Sequence, residues 1–159
     1  MIFDALTYLF YALVVVAFIQ PNAPRFFAAV TFVSVTISHE LFLSHYDGLA
    51  YYGSAALFDL GIIAITSGIR PVPKMVLSLH KICLASMVLN LVGWGLWFFY
   101  LPPVVYDASF VILYVWALLT FINRSGLDVG GYTMDSWASC FCFHRYTWGF
   151  NFHKHDGKI

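Results

Sequence analysis

Charge is what this sequence lacks most. Only 10% of its 159 residues are charged, whereas a soluble domain usually has about a quarter charged residues. The formal net charge is zero, so no basic surface indicates binding to nucleic acid. Hydrophobic residues make up 61% of the chain, and its mean hydropathy is +0.79. The composition therefore predicts a polytopic membrane protein.

Several other signatures are missing. The three cysteines are too few and too scattered for a disulfide framework. No GxSxG, HExxH, P-loop or GxGxxG motif occurs, and although His39 and Glu40 could act as base and acid, nothing indicates a substrate. We therefore expect no enzyme. The amino terminus has Asp4 where a secretory signal would carry basic residues, so we interpret it as a retained first span.

Five segments are apolar enough and long enough to cross about 30 Å of hydrocarbon. Proline, glycine and asparagine in the connections separate them. The sequence predicts an all-α integral membrane protein with a five-helix bundle in residues 1–123 and a tail in residues 124–159. The predicted spans are approximately 2–20, 26–44, 49–69, 75–100 and 104–122.

The distribution of basic residues predicts the orientation. Basic connections stay in the cytoplasm, and with five spans all eight Lys and Arg residues fall on one side, which places the amino terminus outside and the tail in the cytoplasm. The expected location is a bacterial inner (plasma) membrane. The eight residues are Arg25, Arg70, Lys74, Lys81, Arg124, Arg145, Lys154 and Lys158.

The tail has a different pattern. Residues 139–155 alternate between aromatic and polar side chains around a Thr-Trp-Gly turn, which predicts a short β-hairpin with its aromatic face on the membrane interface or on a partner. The polar face carries soft ligands that could bind zinc or copper, although their spacing is unlike that of zinc modules; without metal this face is simply solvated. These ligands are Cys140, Cys142, His144, His153 and His155.

Asp59 lies near the middle of the third predicted span. A charge at that depth costs roughly 2.5 kcal/mol or more, so it needs a partner or a role. Asn90 lies at a similar depth in the fourth span, with Ser86 one turn away, and a hydrogen bond between Asp59 and Asn90 is expected. Thr66 lies on the same face of its helix as Asp59. Three interpretations stay open: a lock between two helices, a proton or ion route, and contact with a separate membrane partner.

The second span has polar residues on two faces. Ser34 and Ser38 lie on one face, whereas Glu40 lies on nearly the opposite face, with His39 beside it in the outer half. Two polar faces predict a helix that is surrounded by protein or lines water. Glu40 and His39 would form an acidic outer mouth that concentrates cations, or they are merely hydrated at a helix end. His39 and His80 differ in depth by roughly 18 Å, so they cannot share a haem and none is expected.

The sequence favours a homo-oligomeric ion or proton channel or pore of bacterial or phage type, embedded in the lipid bilayer. One alternative is a non-conducting membrane subunit, or an exclusion protein, that binds its partner through helix contacts. Another is a metal-binding or redox protein. The predicted pore or buried polar residues are Asp59, Asn90, Ser86, Thr66, Glu40, His39, Ser34 and Ser38.

Overall fold

The protein, seen in a computed structural model, is described for residues 2–43, 45–70, 72–123 and 133–134. These residues form five α-helices and two very short strands, which confirms the prediction of five helices. The helices are α1 (Ile2–Phe18), α2 (Ala23–Leu43), α3 (Leu49–Thr66), α4 (Lys74–Phe98) and α5 (Val104–Ile122). The strands are β1 (Ile69–Arg70) and β2 (Thr133–Met134).

Four of the helices, α2 to α5, are long and apolar enough to cross a membrane. The apolar part of α1 is shorter and runs from Ala5 to Phe18. Large apolar side chains cover much of the outer surface of the bundle, among them Leu57, Leu91 and Ile112, as lipid contact requires. The fold is that of a multi-pass membrane protein in length and composition, while the crossing of α1 stays a prediction.

Helix boundaries follow from residues that disrupt helices. Pro73 and Pro103 stand immediately before α4 and α5, where a missing backbone N–H costs nothing. Before α2, the Asn22 side chain accepts a hydrogen bond from the Arg25 backbone N–H at 3.2 Å. Gly48 precedes α3 with a φ of 56°, a left-handed conformation that favours glycine. The connections are therefore short, and successive helices run antiparallel.

The helices form a closed ring in which each packs on its neighbours in sequence and α1 also packs on α5. We call the end of the bundle with Arg25, Arg70 and Lys74 the basic end, and the end with Asp47 and Asp107 the acidic end. Towards the basic end, the interior is filled with apolar side chains. They include Phe32, Ile62, Leu79, Ile82 and Phe121, all of which are buried. Phe32, Ile62 and Ile82 also line a cavity between α2, α3, α4 and α5, so the apolar packing borders that cavity on the side of the basic end.

Arg25 ties the first helix pair to the last helix at the basic end. Its side chain is buried and donates hydrogen bonds to the backbone carbonyls of Phe121 at 3.3 Å and Asn123 at 3.0 Å. A third bond reaches the Gln20 side chain at 3.3 Å. Carbonyls at a helix carboxyl end lack partners within the helix and favour cations. Arg25 thus caps α5 from a distant part of the chain.

Replacing Arg25 with alanine is expected to lower the free energy of unfolding by about 2–3 kcal/mol, since hydrogen bonds from a charged donor contribute about 1.5–3 kcal/mol. The measurement is unfolding of the purified protein in mixed micelles with increasing SDS. Lys81→Ala removes an exposed cation from α4 and serves as the control, with an expected change of less than about 0.5 kcal/mol. Equal losses in the two variants would contradict the role of Arg25 as a cap.

The strands join the tail to the connection between α3 and α4. They pair antiparallel, with Ile69 opposite Met134 and Arg70 opposite Thr133. The sequence does not predict this pairing, because it places Ile69 in the third span and Arg70 in a connection. The third helix ends at Thr66, and Ile69, which the predicted span included, belongs to β1. The predicted hairpin at 139–155 lies outside the described residues.

Candidate functional site

A partly open cavity of about 70 Å³ lies between α2, α3, α4 and α5. A single water needs only about 10–15 Å³ of such volume when polar partners are present, so the cavity can hold several. Polar and apolar side chains share its wall. The polar ones are Thr36, His39, Glu40, Tyr51, Asp59, Ser86, Asn90, Tyr106 and Tyr114. Five residues predicted from the sequence, Asp59, Asn90, Ser86, Glu40 and His39, therefore meet in one place.

Asp59 is the buried charge at the centre of this site. It is 8% exposed and projects from the middle of α3 into the cavity wall. Ser86 and Cys83 of α4 are its nearest polar neighbours. Its Oδ2 atom has no hydrogen-bond partner among the described residues. A buried polar atom left unpaired costs about 1–3 kcal/mol, so this oxygen lowers the stability of the fold.

Asn90 pairs with α5 and not with Asp59. Its side-chain oxygen accepts a hydrogen bond from the Tyr106 hydroxyl at 3.1 Å, and its amide group donates to the Ser86 hydroxyl at 3.4 Å. The expected hydrogen bond between Asp59 and Asn90 is absent from the described part of the chain. Asp59 and Asn90 both line the cavity, as their similar depth in the sequence predicts, but the Asn90 side chain points to α5 and not to α3. The lock at this level therefore joins α4 to α5.

Gly93 lets α5 approach closely enough for that bond. A Cβ atom at this position would overlap the Tyr106 ring, with Cδ2 only 2.7 Å away, and would lie 2.7 Å from Cε1 of Tyr52. The two tyrosine rings pack edge to face with centroids 5.6 Å apart. Glycine at position 93 thus accommodates two aromatic rings against the backbone of α4 and closes this side of the cavity.

His39 is held in one orientation by α3. Its Nε2 atom lies 3.3 Å from the Tyr51 carbonyl oxygen and 3.2 Å from the Ser54 hydroxyl. That hydroxyl already donates to the Tyr51 carbonyl at 2.9 Å, so both neighbours accept and Nε2 carries the hydrogen. The ring also packs on Tyr51 and Phe58, with centroids 4.9 and 5.7 Å away. Its Nδ1 atom is consequently left to face Glu40.

Glu40 connects this buried imidazole to the surface of the bundle. Its side chain is 53% exposed, and Oε1 lies 3.5 Å from Nδ1 of His39. The same oxygen accepts a hydrogen bond from the Tyr51 hydroxyl at 3.2 Å. Glu40 also lines the cavity. A carboxylate that reaches both the exterior and the cavity is a natural entry point for a cation or proton.

Three predicted site residues lie elsewhere. Ser34 is exposed, and the Ser38 hydroxyl donates to the Ser34 carbonyl at 2.8 Å, a bond within the helix that makes the hydroxyl tolerable on an outer face. Thr66 is fully buried nearer the basic end. It donates to the Ile62 carbonyl at 2.7 Å and lies 2.8 Å from Nε2 of His80. Thus His80 and His39 lie towards opposite ends of the bundle.

Sequence reasoning missed the aromatic hydroxyls of the site. Tyr51 had the pattern of a residue at the headgroup level, since it begins a span, yet it turns inward to Glu40. Tyr106 lies in the first turn of α5 and is not among the predicted site residues. The buried face of α5 could have indicated Tyr106. Leu113, Ala117 and Phe121 recur on this face at helical spacing, and the same spacing continued towards the start of the helix reaches Tyr106.

The predicted ligands for zinc or copper, from Cys140 to His155, lie outside the described residues. Within the described residues, no group of three or more His, Cys, Asp or Glu side chains could hold a metal ion. The cavity, with its buried polar residues, is the candidate functional site.

No protein-family model, no curated protein and no solved structure matches the chain.

Proposed function

We propose that the protein is a channel that conducts a cation, either a metal ion or a proton, with Asp59 as the group that binds it midway across the membrane. The observation that carries the proposal is the unpaired Oδ2 atom of Asp59, buried in a cavity wall. A carboxylate removed from water must be neutralised by a cation or by a proton. Either outcome makes this position a cation site.

A purely structural role for Asp59 is less well supported. A carboxylate that locks two helices would use both oxygens in hydrogen bonds across their interface. Asp59 interacts with Ser86 and Cys83 of α4, but its Oδ2 atom has no hydrogen-bond partner among the described residues. This unpaired oxygen adds a cost that a helix lock does not require, which favours retention for function.

The predicted orientation gives the route a direction. With the basic end in the cytoplasm, Glu40 lies towards the outer side, Asp59 at the middle and the apolar packing around Leu79 towards the inner side. The cavity would then be reached from outside a bacterial inner membrane. Conduction through to the inner side requires opening of the apolar half.

Homo-oligomerisation is a separate part of the proposal. The polar residues converge inside one bundle, so a route through Asp59 needs no axis between copies. A homo-oligomer would then be a set of parallel routes. The alternative of a non-conducting partner protein is less well supported by the site, because the Asp59 side chain is only 8% exposed and offers a partner in the lipid little surface to contact.

Ion flux into proteoliposomes tests the proposal. Vesicles with the purified protein are expected to take up protons, Na⁺ or K⁺ faster than empty vesicles, and Asp59→Asn is expected to reduce this uptake by about tenfold, equivalent to about 1.4 kcal/mol. Asp47→Asn makes the same chemical change in an exposed loop residue and should leave uptake unchanged. Absence of uptake in the unmodified protein, or full uptake in Asp59→Asn, would refute conduction through this site.

A further inference from the structure

Three proton-carrying side chains lead from the bundle surface to its centre. Glu40 is 53% exposed, His39 next to it is 7% exposed, and Asp59 is 8% exposed. All three line the same cavity, and His39 is close enough to Asp59 to interact with it electrostatically. We propose that the conducted cation is the proton, taken up by Glu40 and passed through His39 to Asp59. This inference rests on the proposed function and identifies its cation.

The hydrogen bonds around His39 define the transfer. Nε2 carries a hydrogen, because the Tyr51 carbonyl and the Ser54 hydroxyl can only accept from it, and Nδ1 faces Oε1 of Glu40 at 3.5 Å. A proton picked up by the Glu40 carboxylate moves to Nδ1, which leaves Glu40 ionised and His39 doubly protonated. Imidazole is suited to this exchange, since each nitrogen can bind a proton while the other releases one.

The second half of the transfer ends on Asp59. The imidazolium gives up its Nε2 contacts to the Tyr51 carbonyl and the Ser54 hydroxyl and releases this proton to water in the cavity that His39 lines. The water delivers a proton to Oδ2, the oxygen without a partner. His39 is then neutral with its hydrogen on Nδ1, and exchange with water, in which Nδ1 releases one proton and Nε2 binds one, restores the starting tautomer. One proton has entered at Glu40, one is bound at Asp59, and no other group has changed its charge.

The remaining wall of the cavity disfavours a metal ion. Sodium and other hard cations need several oxygen ligands, commonly six or more for Ca²⁺ and Mg²⁺. The Asn90 oxygen already accepts from Tyr106 and the Glu40 oxygen Oε1 from Tyr51, and among the described residues no group of three or more His, Cys, Asp or Glu side chains could hold a metal ion. No lysine or arginine is among the described lining residues, so no fixed positive charge opposes entry of a proton.

The aromatic rings around the cavity make an organic ammonium ion the main alternative to the proton. Phe32, Phe58 and Phe110 line the cavity beside the tyrosines, and aromatic faces attract organic ammonium ions. Methylammonium is therefore a necessary probe beside the inorganic cations.

The test compares cations in one set of proteoliposomes. A pH-sensitive dye inside the vesicles reports proton entry under a K⁺ diffusion potential, and tracer uptake reports Na⁺, K⁺ and methylammonium. The unmodified protein is expected to acidify the lumen while the three tracers enter as in empty vesicles. Glu40→Gln and His39→Gln keep the size of the side chains but cannot pass a proton, so each is expected to lower proton entry by about tenfold.

Two controls separate proton transfer from structural effects. His45→Gln changes an exposed histidine at the acidic end and should leave proton entry unchanged. In His39→Ala, millimolar imidazole in the outer buffer should restore part of the proton entry, an effect that a purely structural role of His39 would not produce. Glu40 is half exposed, so Glu40→Gln should fold as the unmodified protein does. If the His39 variants do not fold, proton entry in Glu40→Gln alone tests the proposed transfer.

The outcomes distinguish this inference from the function on which it rests. Entry of Na⁺, K⁺ or methylammonium without acidification would overturn the proton assignment and leave cation conduction standing. Full proton entry in Glu40→Gln, together with loss in Asp59→Asn, would overturn the entry route alone. Absence of uptake for every probe would overturn both proposals.

Discussion

Asp59→Leu is expected to raise the free energy of unfolding by about 1–3 kcal/mol, the usual cost of a buried polar atom without a partner, while it abolishes cation flux. Leucine removes the unpaired Oδ2 atom and adds apolar volume beside Ile62, where the cavity offers room. A gain in stability with a loss of function is typical of residues that are kept for activity. SDS unfolding and flux would be measured on the same preparation.

Asn90→Leu is the matched control for this substitution. It replaces a polar residue of similar depth, but one whose oxygen and amide groups are bonded to Tyr106 and Ser86. We expect it to lower the free energy of unfolding by about 1–3 kcal/mol, because the Tyr106 hydroxyl loses its acceptor. The two variants should therefore differ in sign. A loss of stability in Asp59→Leu equal to that in Asn90→Leu would favour the helix-lock interpretation.

Gly93→Ala is expected to lower the free energy of unfolding by about 2–4 kcal/mol, from overpacking of about 1–3 kcal/mol and about 1 kcal/mol for a lost hydrogen bond. The added methyl group would lie 2.7 Å from ring atoms of both Tyr52 and Tyr106. Neither ring can withdraw without cost: they pack on one another, and the Tyr106 hydroxyl is bonded to Asn90. The same SDS titration gives the measurement.

Gly95→Ala and Gly61→Ala test whether the effect is local. A Cβ at either position has no heavy atom within 4 Å, and alanine is the better helix former by about 1 kcal/mol. Both variants should be neutral or slightly more stable. If Gly93→Ala unfolded at the same SDS concentration as these two, the close packing of the tyrosine rings would not contribute to stability.

The helices could be predicted because the bilayer imposes a strong constraint. A spanning helix must satisfy its own backbone hydrogen bonds over about 20 apolar residues, and Pro73 and Pro103 mark where the fourth and fifth of these segments begin. Boundaries were least accurate at the start of α2 and at the end of α3, each of which was missed by three residues. The third helix stops at Thr66, although Ile69 is as apolar as the residues before it, because Ile69 pairs with Met134 in a sheet. Strands of two residues leave no periodic pattern in a sequence.

The sequence predicts the depth of the site residues in the membrane, but not the neighbouring helix that each side chain faces. Counting residues placed Asp59, Asn90 and Ser86 at one level, and all three line the cavity. Which neighbour each side chain faces depends on the order of helices around the ring. Helix α4 lies between α3 and α5, and Asn90 points to α5. In α2, the polar face that includes His39 points into the bundle, and the face that includes Ser34 points outward. The sequence could not predict this orientation, because the two faces are equally polar.

Arg25 also constrains the order in which the chain can assemble. Its acceptors, the carbonyls of Phe121 and Asn123, lie 96 and 98 residues further along the chain, and the ring closes where α1 packs on α5. As helices enter the membrane one after another, the guanidinium must stay hydrated at the interface until the last helix is present. Four helices alone would leave these acceptors missing and the ring open, so we expect a chain truncated before α5 to be less stable than the full bundle.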